Sequence, residues 1–364
     1  MTTPESGLLP EAEPVRLIDE NGRGIAHERY RMPTPERLLA GYRDLVIGRR
    51  INDQAGALAR QGRVAVYPSS HGQEACQVAA GRSLDAQDWL FPTYRDSVAV
   101  MTRGIPAVET LLLFRGDWHN GYDSAATRTA PLATPLATQL LHATGAAHAA
   151  KLQGRDEISI ALCGDGSTSE GDFHEALNFA AVFRTGTVFL IQNNEYAISV
   201  PLAKQSQAPS LAHKCIGYGV PGVRVDGNDL AALFAVMDEA TARARRGEGP
   251  TLIEAHTYRM QSHTNADDAT RYREDEEVQS WIARDPLSRL RSYLRAEGLL
   301  DDAAEEAFAA DAELAAAAVR EAIEGREEPD PTEIFRHVYT EMPADLAAQE
   351  EQLRDELARN GATS

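Results

Sequence analysis

Residues 158–181 read Ile158-Ser-Ile-Ala-Leu-Cys163-Gly-Asp165-Gly-Ser-Thr-Ser-Glu170-Gly-Asp-Phe173-His-Glu-Ala-Leu177-Asn-Phe-Ala180-Ala. The apolar run up to Cys163 predicts a strand, Gly164-Asp165-Gly166 predicts a turn, and Phe173, Leu177 and Ala180 predict one face of a following helix. Glycines at such a turn let the backbone approach a ligand, and a helix start offers unpaired N–H groups to an anion. The dinucleotide fingerprint is not met, because Ser169 stands where the third glycine of G-x-G-x-x-G belongs. Asp165 decides the reading. A carboxylate beside a phosphate repels it unless a cation lies between them, and Mg²⁺ takes hard oxygen ligands together with phosphate oxygens and water.

The next strand, Thr187–Gln192, ends in Asn193-Asn194. If both strands finish at the same sheet edge, the Asn194 amide oxygen joins Asp165 on the metal, with a backbone carbonyl as a third ligand. Apolar runs at Ile158–Cys163, Val188–Ile191, Gly222–Val225 and Thr251–Ala255 alternate with helical stretches such as Ala231–Arg245. That alternation predicts an α/β fold with a mostly parallel sheet flanked by helices. Such sheets bind ligands in the loops beyond the carboxyl ends of their strands.

The remaining sequence divides into three parts. Residues 1–33 carry four prolines and little periodicity, and read as an N-terminal arm; residues 34–280 form the α/β domain; residues 281–364 read as an acidic helical extension. Thr34-Pro35-Glu36 opens a helix, with Thr34 as cap. Residues 301–330 hold eleven acids against two arginines, which suits a solvated helical face. The chain has 364 residues and a formal net charge of −19, which argues against nucleic acid or an anionic membrane as partner. No apolar run is long enough to span a bilayer. Cys76, Cys163 and Cys215 lie far apart, so neither a disulfide framework nor a zinc ribbon is indicated, and a cytoplasmic location is expected.

Gly164-Asp165-Gly166 followed by Asn193-Asn194 at this spacing resembles the thiamine-diphosphate motif. Its surroundings resemble the alpha subunit of the decarboxylating component of 2-oxo acid dehydrogenase complexes, from about Pro35 to Leu353. The resemblance implies that Asp165, the Asn194 side chain and the Tyr196 carbonyl bind Mg²⁺, and that Gly166 and Ser167 face the diphosphate. Two positions depart from the family pattern: Gln192, where branched-chain members often carry Arg, and Glu195, where Gly is frequent.

The same resemblance extends to three further segments. In Phe91-Pro-Thr-Tyr-Arg-Asp96, Tyr94 and Arg95 would meet the diphosphate. Thr134-Pro135-Leu136-Ala137-Thr138-Gln139 is expected to open a helix, with Thr134 as cap and cofactor contact. Leu136 would wedge the cofactor into a bent form, and Thr138 and Gln139 are candidates for a K⁺ site. Tyr258–Asp268 follows a strand and has little to bury, which predicts a loop that becomes ordered with cofactor and metal. In it Arg259 would bind cofactor and His263 would meet both the diphosphate and the substrate as a catalytic residue. The remaining histidines His71, His142, His148, His174 and His256 match no metal-ligand spacing and read as structural.

The implied reaction is thiamine-dependent oxidative decarboxylation of a small 2-oxo acid, with acyl transfer to the lipoyl group of an acyltransferase core. Branched-chain acids are favoured, from Asp285–Leu294 and Tyr339–Leu346; pyruvate or acetoin are the alternatives. The carboxylate that such chemistry needs at the pyrimidine ring is expected from a separate beta subunit, in an α₂β₂ assembly. An NAD-dependent dehydrogenase and a non-catalytic cofactor-binding subunit stand as readings from other classes.

Overall fold

A computed structural model of the chain describes residues 8–117, 119–325 and 330–361. The first seven residues of the expected arm, and residues 326–329 and 362–364 of the expected extension, lie outside that description. Strands β1 (Trp89–Phe91), β2 (Ser159–Gly164), β3 (Thr187–Asn193), β6 (Gly222–Asp226) and β7 (Thr251–His256) form one sheet in the order β1-β2-β3-β7-β6, with every pairing parallel. Between β3 and β6, β4 (Tyr196–Ala197) and β5 (Val200–Pro201) make a small antiparallel hairpin. The α/β reading of the sequence holds. Four of the five sheet strands begin within a residue of their expected positions; β1, three residues long, carries no periodicity to read.

Alternation along the strands splits the core between the two faces of the sheet. Ile160, Leu162, Val188, Leu190, Ile253 and Ala255 pack against helices Pro35–Arg60, Glu74–Arg82 and Leu230–Arg245. Ala161, Cys163, Phe189, Ile191 and Leu252 pack on the other side against helices Thr138–Leu152 and Gly171–Phe183. Each fully buried Leu, Ile or Phe contributes about 1.5–3 kcal/mol through removal from water. Thr34 caps the long first helix as expected, its side chain accepting from Arg37 N. Beyond the sheet, helix Asp302–Glu324 buries Ala316, Val319 and Ile323 in a third cluster with Ile51, Ala55 and Leu58.

The N-terminal segment has no long element, yet it is stitched to the sheet. Val15 bridges Val225, and the backbone N–H groups of Leu17 and Ile18 both donate to Asp229 Oδ2 at 2.7 Å. Arg289 reaches across from helix Pro286–Ala296 to Asp226 and to the carbonyl of Ile18.

The sheet register positions the site. Gly164 pairs with Gln192, and Asn193 with His256, so β2, β3 and β7 end side by side. The segments after β1, β2, β3 and β7 are those that carry Tyr94-Arg95, Asp165-Gly166, Asn194–Tyr196 and Arg259–His263. The strand order thereby gathers residues up to 169 positions apart at one edge, where parallel sheets place their ligands.

Candidate active site

Asp165 opens a short 3₁₀ turn, Asp165–Ser169, and the α-helix starts only at Gly171. Its carboxylate is 1% exposed, and burial raises its pKa above the usual range. One oxygen, Oδ2, accepts from Gln205 Nε2 at 2.7 Å. The other faces Asn194 Oδ1 at 3.2 Å, and Asn194 Oδ1 is in turn 3.1 Å from the Tyr196 carbonyl oxygen. Three oxygens thus converge, and the donor to Asn194 Oδ1 is a long contact from Tyr196 N at 3.4 Å. Turning the amide over would supply a donor, but it would set the amide oxygen 2.9 Å from Gln73 Oε1. A cation would resolve the conflict. Mg²⁺ bonds of about 2.0–2.1 Å at right angles put neighbouring ligand oxygens roughly 3 Å apart, the spacing seen between these groups. Among the described residues no three His, Cys, Asp or Glu side chains group for a metal, so a cation here would meet one carboxylate, one amide and one carbonyl.

The hairpin that brings the Tyr196 carbonyl here is tightly constrained. Glu195 has φ 72° and Ile198 φ 55°, left-handed positions that cost a non-glycine residue about 1–2 kcal/mol. Glu195 bonds His256 Nε2 at 2.6 Å. Gly166 lies so close beneath the hairpin that a Cβ there would stand 2.7 Å from Ala197 Cβ.

Two buried guanidinium groups flank this oxygen cluster. Arg95 donates to the carbonyls of Ser69 (2.8 Å) and His263 (3.0 Å), and to His263 Nδ1 (3.0 Å). Arg259 donates to the Ile198 carbonyl (2.7 Å), to Tyr272 Oη (2.8 Å) and to the Tyr196 carbonyl (3.3 Å). Among the described residues neither reaches a carboxylate within ion-pair distance. Two buried positive charges with no carboxylate in direct contact are costly, and a dianionic phosphate group would pair with both. The residues fit both a divalent cation and a diphosphate.

His263 takes its character from these arginines. Burial, then Arg95, then Arg259 lower its pKa to about 4, against an opposing pull from Asp267. With Nδ1 accepting from Arg95, the hydrogen of the neutral ring sits on Nε2. Asp267 Oδ2 accepts from His263 N at 2.8 Å and from Tyr272 Oη at 2.5 Å, fixing the loop from below. Tyr258 and Arg259 are fully buried, with the Tyr258 ring stacked on Trp281 at 5.4 Å, so the loop has more anchoring than its composition suggests. Tyr94 meets the His263 ring edge-on at 6.0 Å. A cleft of about 700 Å³, lined by Tyr67, Ser69, Met260, Ser262, Thr264 and Asp267 among others, opens beside the loop.

One expected local structure is corrected. Thr134 does not cap a helix: helix Thr138–Leu152 starts four residues later, after Ala137 with φ 64°. A Thr93–Ala133 bridge holds the preceding segment extended, and a left-handed residue cannot continue a helix backwards. Thr134 is exposed and Leu136, on the intervening turn, is 42% exposed. Thr138 Oγ1 bonds Asp172 at 3.1 Å; Gln139 Nε2 donates to the Leu162 carbonyl at 2.7 Å, leaving its buried Oε1 without a partner. Ser167 is buried beside Asp165. Sequence reasoning missed Gln73, Gln77 and Gln205; the i, i+4 spacing of Gln73 and Gln77 at a helix start was the available signal.

The family model described as Dehydrogenase E1 component matches residues 42–333. The 3-methyl-2-oxobutanoate dehydrogenase subunit alpha of Mycobacterium tuberculosis is 49% identical over 357 residues, 97% of each chain. The pyruvate dehydrogenase E1 component subunit alpha of Staphylococcus aureus is 38% identical over 350 residues, 95% of this chain and 94% of that one.

Proposed function

The chain belongs to the dehydrogenase E1 component family, and on that premise we propose that it is the alpha subunit of a thiamine-diphosphate-dependent 2-oxo acid dehydrogenase acting on branched-chain 2-oxo acids. The observation that carries the reading is the oxygen cluster of Asp165, Asn194 and Tyr196 beside the unpaired guanidinium groups of Arg95 and Arg259. Substrate preference follows the relative at 49% identity, named for 3-methyl-2-oxobutanoate, over the one at 38% named for pyruvate. Neither Asp165 in the phosphate turn nor Ser169 suits a nicotinamide site.

Each residue has a defined part. Asp165, the Asn194 amide oxygen and the Tyr196 carbonyl hold Mg²⁺, while Arg95, Arg259, Tyr94, Gly166 and Ser167 receive the diphosphate. Thr134 and Leu136 contact the middle of the cofactor, and Thr138 with the orphaned Gln139 Oε1 offers a K⁺ site. When bound, thiamine diphosphate supplies the electron sink for loss of CO₂ from the 2-oxo acid. His263, neutral with its hydrogen on Nε2, offers a donor to oxygen that gains negative charge during acyl transfer to the lipoyl group of the acyltransferase core. The carboxylate required at the pyrimidine ring comes from a beta subunit in an α₂β₂ assembly. Among the described residues no helix is long and apolar enough to cross a membrane, and the cytoplasm is the proposed location.

The test is decarboxylation by the co-expressed alpha and beta chains with 3-methyl-2-oxobutanoate and pyruvate. Higher kcat/KM on the branched acid, and no turnover by the alpha chain alone, are expected. A tenfold preference for pyruvate would overturn the substrate assignment, and full turnover without beta would overturn the shared site.

A further inference from the structure

Asn194 presents oxygen to a cation only when its amide faces one way, because the two ends of an amide differ in chemistry far more than in shape. A chain of buried amides sets that direction, starting from backbone groups that can only donate. Val98 N donates to Gln77 Oε1 at 3.2 Å, which turns Gln77 Nε2 toward Gln192 Oε1, 3.4 Å away. Independently, Thr93 N donates to Asp96 Oδ2 at 2.7 Å, and Asp96 Oδ1 accepts from Gln192 Nε2 at 2.7 Å. Both routes give Gln192 the same orientation. Its Oε1 accepts from Gln73 Nε2 at 3.0 Å, so Gln73 Oε1 faces Asn194 and accepts from Nδ2 at 2.9 Å. Gln73, Gln77, Asp96, Gln192 and Asn194 are all buried, so reversing any one amide strands donors and acceptors away from water.

We propose that Gln73, the residue just before helix Glu74–Arg82, is a positioning residue for the divalent cation: it holds the Asn194 oxygen toward Asp165 and the Tyr196 carbonyl, with Gln192 and Asp96 orienting Gln73 in turn. The proposal rests on the metal reading above. It also gives Gln192 a task other than touching phosphate, since its amide is spent on Asp96 and Gln73.

The experiment is a calorimetric titration of Mg²⁺ into the alpha–beta enzyme at saturating thiamine diphosphate. Gln73→Met removes the acceptor at similar volume and is expected to weaken Mg²⁺ affinity about 10- to 100-fold, the usual effect of losing a partner that orients a metal ligand. Gln73→Glu, kept neutral by burial, retains one acceptor and one donor and is expected to stay within about threefold of the native enzyme, by the same hydrogen-bond inventory. In an Asn194→Asp background the ligand has no direction to set, so adding Gln73→Met should leave affinity unchanged or tighter. An equal loss in both backgrounds, or no loss in the native one, overturns the proposal. Unchanged Mg²⁺ affinity in Asp165→Ala would instead overturn the metal reading itself. If Gln73→Met fails to assemble, Gln192→Met breaks the next link of the chain and must weaken Mg²⁺ for the proposal to stand.

Discussion

Asp165→Asn should make the enzyme more stable without metal and less stable with it. In the native chain the Asp165 carboxylate is buried and faces Asn194 Oδ1 at 3.2 Å. The asparagine keeps an oxygen for Gln205 Nε2 and places an N–H against Asn194 Oδ1. One buried acceptor gains a donor and one buried charge disappears, worth about 1–3 kcal/mol. A chain of 364 residues unfolds with an entropy of roughly 0.8 kcal/mol/K, at about 2.1 cal/mol/K per residue. The substitution should therefore raise the melting temperature by about 1–4 °C in EDTA. With Mg²⁺ and thiamine diphosphate at a thousand times Kd, the native enzyme gains about 4.1 kcal/mol, or roughly 5 °C, while the variant gains almost nothing. Scanning calorimetry of the alpha–beta enzyme in both buffers should show the order of stabilities reverse. A variant that melts at or below the native enzyme in EDTA, or keeps its metal-induced shift, refutes the reasoning.

Two other substitutions or titrations probe neighbouring features. Gly166→Ala forces a Cβ to 2.7 Å from Ala197 Cβ and should cost about 1–3 kcal/mol and weaken Mg²⁺ binding by shifting the Tyr196 carbonyl. Ala197→Gly in the same chain should restore both; a double variant as weak as the single one would disprove the steric account. NMR of labelled histidine should find His263 titrating near the depressed value of about 4 in the unloaded enzyme, and higher once diphosphate offsets Arg95 and Arg259. Because the unfolded chain binds that proton near pH 6.5, this residue makes stability fall as pH drops from about 6.5 towards 4. Titration at an ordinary histidine pKa before loading would contradict the proximity of the arginines.

Much of the site was legible because its groups sit at strand ends, where local pattern and chemistry coincide. Asp165 and Asn194 follow short apolar runs bounded by turn residues, which read as strands, and the register of β2 on β3 then brings them together. The relay from Asp96 to Asn194 was illegible for the opposite reason. Its members come from positions 73, 77, 96, 192 and 194, and buried amides joined only in space leave no period. At Thr134 a good local cap signal lost to a tertiary bridge and the left-handed Ala137. In the N-terminal segment the alternation of Val15 and Leu17 about Arg16 was a strand-like hint, too short to weigh against the surrounding prolines.

That segment has a consequence for the order in which the protein is made. Ile18 leaves the ribosome well before the arginine that closes on its carbonyl, which lies 271 residues later in the chain. At translation speeds of about 5–20 residues per second, the delay is roughly 15–50 s. Val225 and Asp229 emerge before Arg289, so partial docking precedes the final clasp. The apolar residues around Ile18 thus wait for their full set of partners, and nascent chains stalled short of Arg289 carry them unclasped.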